Sequence, residues 1–202
     1  MRLLRYGPGA LLVELDSTAE ALGLYAAARA ARVPAAEVVP AARTVLFDGV
    51  EDVAALGAQL RRLPRAAAGA GAAAGAIVEV PTVYDGADLA EVARQWGTTE
   101  TEVVALHTST EFTVAFCGFS PGFGYCTGLP ADRQVSRRTS PRPRVPAGSV
   151  ALAGGFTAVY PSSSPGGWQL VGRTDLRLWD PAADPPARLT PGTRVRFREV
   201  PR

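Results

Sequence analysis

The chain alternates between two kinds of hydrophobic pattern. "ALLVEL" (10–15) is a short apolar run that reads as a buried strand, and Ser17 with Glu20 then forms a capping-box start for a helix running to about Ala31. "EVVPAARTVLF" (37–47) supplies two short extended pieces. Val53, Leu56, Leu60 and Leu63 recur at helical spacing, and "AIVEVP" (76–81) is a further strand. The predicted order β, α, β, β, α, β is that of a small split βαβ domain of ferredoxin-like type. "RAAAGAGAAAGA" (65–76) precedes its last strand and reads as a flexible loop, because its glycines interrupt what its alanines would extend as helix.

From Pro81 the pattern changes. Leu89, Val92, Ala93 and Trp96 outline a short amphipathic helix closed by Gly97, and Thr99 with Glu102 caps a second one that reaches His107. Two helices joined by a tight turn suggest a DNA-binding helix-turn-helix. The second one carries Glu100 and Glu102 and no arginine, so it would repel phosphate, and that reading is discarded. After His107, "FTVAF" (112–116), "SVALAG" (149–154), "WQLVG" (168–172), "LRLW" (176–179) and "RVRFREV" (194–200) are strand-like pieces separated by Gly- and Pro-rich turns. This is the pattern of a small barrel or sandwich. The expected organisation is α+β, with an α/β domain over residues 1–80 and a β-domain over 81–202.

Composition removes several chemistries. All 21 basic residues are arginine, which excludes a lysine Schiff base, a Walker lysine or a kinase-type lysine. One histidine, His107, excludes multi-histidine metal sites, and Cys117 and Cys126 are too few for a disulfide framework or an all-cysteine zinc site. No metal site is expected. A net charge of +2 does not point to nucleic acid. No apolar run approaches the roughly 20 residues of a membrane helix, and the first residues lack a signal peptide's long apolar core, so the expectation is a cytoplasmic protein without a membrane partner.

Three segments carry candidate chemistry. "FCGFSPGFGYCTGLP" (116–130) is too broken for a helix and too apolar for an ordinary surface loop. Phe119, Phe123 and Tyr125 are spaced by two or four residues, Gly118, Gly122 and Gly124 permit close backbone approach, and Ser120 and the Tyr125 hydroxyl are its polar handles. A loop plugging one end of a barrel would look the same. "SPGGWQLVGRT" (164–174) offers Trp168 for stacking, Gly166 and Gly167 for amide contacts to an anion, and Arg173 beside Thr174, a guanidinium fork next to a hydroxyl that suits carboxylate or phosphate. "RQVSRRTSPRPR" (133–144) carries Arg133, Arg137, Arg138, Arg142 and Arg144 without an acid: a solvated face, an anion site or a docking patch for an acidic partner. His107, at a helix C-terminus where the macrodipole favours its protonated form, immediately precedes the strand that leads into the first of these segments.

"FTVAFCGFSPGFGYCTGLP", "RRTSPRPRVPAGSVALAGGFTAVYP", "SPGGWQLVGRT" and "LTPGTRVRF" together resemble the family containing the B subunit of 5-oxoprolinase, allophanate hydrolase subunit 1 and the sporulation-kinase inhibitor, the carboxyltransferase domain of subdomain C and D type. The resemblance covers nearly all of 107–197, in order. It implies a cyclophilin-like β-barrel behind a ferredoxin-like N-terminal domain. It also implies partners: a homologous second subunit of the 5-oxoprolinase C type and a LamB/YcsF-like subunit, in a complex that opens the lactam of 5-oxoproline using ATP with Mg. Within the same family, a regulatory inhibitor docks on a histidine kinase, and a carboxyltransferase-type domain of urea carboxylase or allophanate hydrolase systems takes biotin as carrier.

Carried over by position, the family's loop falls on Gly118, Phe119, Pro121, Gly122, Phe123 and Tyr125. Its proline-arginine segment falls on Arg137, Arg138, Pro141, Arg142, Pro146, Gly148 and Ser149. Tyr160, Pro161, Pro165, Gly166, Gly167, Trp168, Gly172, Arg173 and Thr174 complete the face, expected to line a cleft at one end of the barrel. On this reading His107 shuttles protons, Arg173 and one of Arg137, Arg138 or Arg142 hold anions, and Phe119, Ser120, Gly122, Phe123, Tyr125, Ser149, Tyr160, Gly166, Gly167, Trp168 and Thr174 line the substrate or nucleotide site. Phe112, Cys126 and the Gly155-Phe156 pair depart from the family pattern and leave the ligand open.

Overall fold

The computed structural model describes residues 1–63 and 77–202, and the loop expected over 65–76 lies outside them. The chain divides into two compact units, Met1–Gly75 and Ala76–Arg202.

In the first unit, β1 (Arg2–Arg5), β2 (Leu11–Glu14), α1 (Thr18–Ala30), β3 (Glu37–Pro40), β4 (Thr44–Asp48) and α2 (Val53–Arg62) follow one another. The four strands form an antiparallel sheet in the order β1-β2-β4-β3. Ser17 caps α1 by accepting the Glu20 N–H at 3.2 Å, and Asp52 caps α2 by accepting the Ala55 N–H at 2.9 Å. Ala21, Leu24 and Ala28 on α1, with Leu56 and Leu60 on α2, bury their stripe against Leu11, Val13, Val45 and Phe47 of the sheet. The expected split βαβ order is not what these residues form. An unforeseen strand, β1, makes a hairpin with β2, and the strand expected at 76–81 pairs elsewhere.

That strand, β5 (Val78–Thr82), belongs to the second unit. α3 (Leu89–Trp96), α4 (Glu100–Ser109), β6 (Phe112–Cys117), β7 (Gly124–Thr127), β8 (Arg142–Val145), β9 (Ser149–Ala153), β10 (Phe156–Val159), β11 (Ser164–Gly166), β12 (Gln169–Arg173) and β13 (Arg194–Glu199) complete it. Gly97 closes α3, and Thr99 with Glu102 forms the reciprocal capping box that opens α4. Seven strands form one mixed sheet, β12-β9-β10-β7-β6-β13-β5, with β8 and β11 as a separate pair. β5 runs parallel to β13, from Val78 opposite Val195 to Thr82 opposite Glu199.

The sheet is nearly closed into a barrel. Immediately after β5, Val83 exchanges two backbone hydrogen bonds of 2.9 Å with Arg173 at the far end of β12, which brings the two outer strands together. The expected strand at 176–179 does not join the ladder. Leu178 is buried and Leu176 packs against the same core, which accounts for the alternating pattern, but only Trp179 is bridged, to Ala187. No helix among the described residues is long and apolar enough to cross a membrane.

All five residues of β9 are buried because both of its faces are covered. Val150 and Leu152, with Val159 of β10, face the barrel interior beside Val80, Val114, Val171, Val195 and Phe197. Ala151 and Ala153, with Ala158 of β10, face a second cluster built from Phe123, Val145, Tyr160, Trp168 and Leu170. Successive residues of a strand point to opposite faces, so one sheet separates two buried clusters, the barrel interior and an aromatic-rich layer on its outer face.

Candidate functional site: an arginine-edged aromatic face

The loop between β6 and β7 is held by its own backbone: Gly118 N–H reaches Phe123 O at 3.2 Å, Ser120 N–H reaches Gly118 O at 2.8 Å, and Phe123 N–H reaches Ser120 O at 3.0 Å. The turn leaves Phe119 at φ 69°, a left-handed conformation uncommon for a bulky residue, with the side chain 60% exposed. The Ser120 hydroxyl is enclosed without a partner.

Around this loop the aromatics form a continuous layer on the outer face of the sheet. Phe123 meets Phe119, Tyr160 and Trp168 edge-on, with centroids 5.2, 5.3 and 5.6 Å apart. Tyr125 stacks on Phe116 at 4.3 Å and meets Trp168 edge-on at 5.5 Å. The guanidinium carbon of Arg137 lies 5.9 Å from the Trp168 ring centre. Burial raises the proton affinity of the Tyr160 hydroxyl, and a hydrogen bond from the Trp168 backbone N–H together with the charges of Arg137 and Arg142 oppose that rise. Both arginines therefore act on the same hydroxyl. Gly166 is required beside it, since a β-carbon there would lie 2.4 Å from the Tyr160 oxygen.

Arg138 and Arg142 converge on one acid. Asp88, only 4% exposed, accepts from Arg138 Nη1 at 3.1 Å and from Arg142 Nη2 at 2.7 Å through the same oxygen, while its other oxygen accepts the Leu170 N–H at 2.7 Å. Arg142 lies opposite Gly166 in the β8–β11 pair, and its Nη1 is enclosed without a partner. A polar cleft of about 730 Å³ is lined among others by Asp88, Glu91, Ser136, Arg137, Arg138 and Gln169.

Phe119, Phe123, Tyr125, Arg137, Tyr160, Gly166 and Trp168 are thus drawn together, and Gly167 is tied to the arginine segment by accepting the Arg138 N–H at 2.8 Å. Ser149 adjoins them by accepting the Tyr160 N–H at 2.9 Å. Arg173 is engaged differently, with Nε 3.2 Å from Asp85, and Thr174 Oγ1 accepts the Leu176 N–H at 3.2 Å.

His107 lies on the opposite side of the sheet. It is wholly buried in the barrel interior, its Nδ1 2.7 Å from the Tyr84 hydroxyl and its Nε2 2.9 Å from the Thr157 hydroxyl, with Phe197 and Phe112 at 4.3 and 5.0 Å. Burial pushes its pKa down to about 3, so desolvation overrides the helix dipole that favoured the charged form. Thr157 and its neighbour Ala158 point to opposite faces of β10, which sets the imidazole and the aromatic layer apart.

Sequence reasoning missed Asp88. It stands before the amphipathic helix in an N-cap position, where an aspartate is ordinary, yet it makes no side-chain cap bond. The signal available was the run Arg137, Arg138, Arg142 and Arg144, which holds four guanidinium groups and no acid. Among the described residues no group of three or more His, Cys, Asp or Glu side chains could hold a metal ion.

The chain resembles proteins of known name and structure. It is 53% identical over 123 residues to the B subunit of 5-oxoprolinase from Escherichia coli O157:H7, covering 59% of this chain and 56% of that protein. It is 46% identical over 127 residues to the B subunit of 5-oxoprolinase from Bacillus subtilis (strain 168), covering 61% and 53%. The chain thus spans about half the length of the curated relatives it matches. The solved structure of TTHA0988 superposes with a TM-score of 0.77 at 32% identity, over 96% of this chain and 40% of that one. The Kluyveromyces lactis urea amidolyase superposes with a TM-score of 0.72 over 98% of this chain and 15% of that one, and at 20% identity it shows the fold alone. The model of the carboxyltransferase domain, subdomain C and D, matches residues 1–189, and this chain belongs to that family.

Proposed function

We propose that the chain serves as the B-type component of a 5-oxoprolinase, opening 5-oxoproline to glutamate with ATP and water beside a homologous C-type partner and a LamB/YcsF-like subunit. The observation that carries this is the 42–53% identity to three proteins named as the B subunit of 5-oxoprolinase. A lactam resists attack by water because its nitrogen lone pair is delocalised into the carbonyl. Transfer of the ATP γ-phosphoryl group to the lactam oxygen removes that stabilisation. Water then adds to the ring carbon and the carbon–nitrogen bond breaks, the nitrogen leaving as the amine of glutamate and the carbon remaining as an acyl phosphate, which a second water hydrolyses to the side-chain carboxylate and phosphate, with ADP the other product. ATP enters with Mg²⁺ on its phosphates.

This chain's part is to hold the small anionic ring. Arg137 and Arg142, which both act on Tyr160, supply positive charge for the substrate carboxylate. The exposed Phe119 supplies an apolar wall for the ring methylenes, backed through Phe123 by the buried Trp168, and the Tyr160 hydroxyl, which accepts the Trp168 N–H, retains its own proton to donate. The carboxyltransferase alternative with biotin rests on the family's description and on the fold likeness to urea amidolyase, whereas the 42–53% identities favour the 5-oxoprolinase reading.

The test is 5-oxoproline-dependent phosphate release by the chain assembled with both partner subunits. Release is expected only from the full set, and Arg137→Ala should weaken apparent substrate affinity about tenfold. A stable three-subunit complex that releases no phosphate with 5-oxoproline would overturn the reading.

A further inference from the structure

An aspartate directly before a helix ordinarily satisfies one of the free N–H groups of the first turn. Asp88 makes no such bond with its side chain. Its carboxylate is turned instead toward the arginine segment and β12, where two guanidinium groups and one backbone N–H satisfy both oxygens. A buried charge needs such partners, and both oxygens of the carboxylate are engaged. At 4% exposure Asp88 is set back from solvent, so its effect passes through the groups it holds.

Those groups are fixed in direction. A guanidinium is a rigid plane, so pinning Nη2 of Arg142 at 2.7 Å also sets where Nη1 lies. The Arg142 side chain is 20% exposed, and Nη1 has no protein partner. Arg138 is held by the same oxygen and by the backbone, its N–H donating to Gly167 O at 2.8 Å next to Trp168. Without Asp88, Arg138 and Arg142 would stand close together with no carboxylate between them, and their mutual repulsion would drive the side chains apart.

We propose that Asp88 is the positioning residue for Arg138 and Arg142: it holds both guanidinium groups against β12 and so sets the direction from which Arg142, beside Arg137, presents positive charge to the substrate carboxylate. This rests on the 5-oxoprolinase reading of the arginine-edged face and adds to it a residue that never touches the substrate.

Asp88→Asn keeps the side chain's size and an oxygen for the Leu170 N–H while removing the charge that holds the arginines. In the three-subunit complex, Asp88→Asn should raise KM for 5-oxoproline about tenfold with kcat nearly unchanged. In an Arg138→Ala/Arg142→Ala background the same substitution should add nothing, because its targets are gone. An unchanged KM, or an undiminished effect in that background, would overturn the proposal. A second readout does not need turnover. In ¹H–¹⁵N spectra of arginine side chains, the Arg142 guanidinium of the full chain should give restrained, resolved Nη resonances that collapse in Asp88→Asn. Resonances that persist in the variant refute positioning even if the complex is active. Collapse in a complex that does not act on 5-oxoproline sustains the positioning role and sinks the substrate assignment alone.

Discussion

The ring of His107 is locked to Thr157 across the barrel interior, Nε2 to Oγ1 at 2.9 Å. Thr157 also donates to the Ala151 carbonyl at 3.3 Å, so its oxygen accepts from the imidazole, and the Tyr84 hydroxyl donates to Nδ1. The histidine is therefore the neutral Nε2–H tautomer, with both nitrogens satisfied and no face open to solvent.

Such a histidine makes stability depend on pH. Its pKa falls from the ordinary 6.5 to about 3 in the folded chain. Between those values the unfolded chain binds a proton that the native chain does not. The stabilising contribution is thus complete above pH 6.5 and declines by about 1.4 kcal/mol per unit as pH falls through the window. Urea unfolding followed by tryptophan fluorescence suits the test, since Trp96, Trp168 and Trp179 all lie in the second unit. The slope between pH 6.5 and 5 should vanish in His107→Phe, and its survival there would place the titration elsewhere.

Barrel closure gives a second expectation. Gly172 precedes Arg173, and a β-carbon at Gly172 would stand 2.5 Å from the Val83 carbonyl oxygen. Backbone on both sides has no room to yield while Val83 and Arg173 keep their paired hydrogen bonds. Gly172→Ala should cost about 3 kcal/mol or more, as overpacking against backbone does. Hydrogen exchange at the Val83 and Arg173 amides should accelerate more than at Val195 in β13. Uniform acceleration would mean that the closure is not the weak point.

The second unit's helices were legible because their information is local: Leu89, Val92, Ala93 and Trp96 mark a face, and Thr99 with Glu102 marks a start. β5 was legible as a strand but was assigned to the wrong sheet, because its partner β13 lies at the other end of the unit and no local pattern records a distant pairing. β8 was hidden inside the arginine run, and β7 inside the glycine-rich segment, since neither alternates cleanly. Within the site, the aromatic and arginine residues could be found from their composition. Their separation from His107 could not, because it depends on which face of β10 Thr157 occupies.

Phe119 offers a test of what its loop is for. A bulky residue at φ 69° carries roughly 1 kcal/mol of backbone strain that glycine would relieve. Against this stand its edge contacts with Phe123 and Tyr160, weakened by its 60% exposure. The two effects nearly cancel, so Phe119→Gly should change unfolding free energy by less than about 1 kcal/mol in either direction. If the exposed ring is a wall of the ligand site, the same substitution should reduce kcat/KM of the assembled enzyme about tenfold or more. A loop that merely plugs the barrel predicts the reverse: a loss of several kcal/mol in stability with turnover retained. Strain retained at an exposed aromatic, with little bearing on stability, is the signature of a residue kept for what it touches.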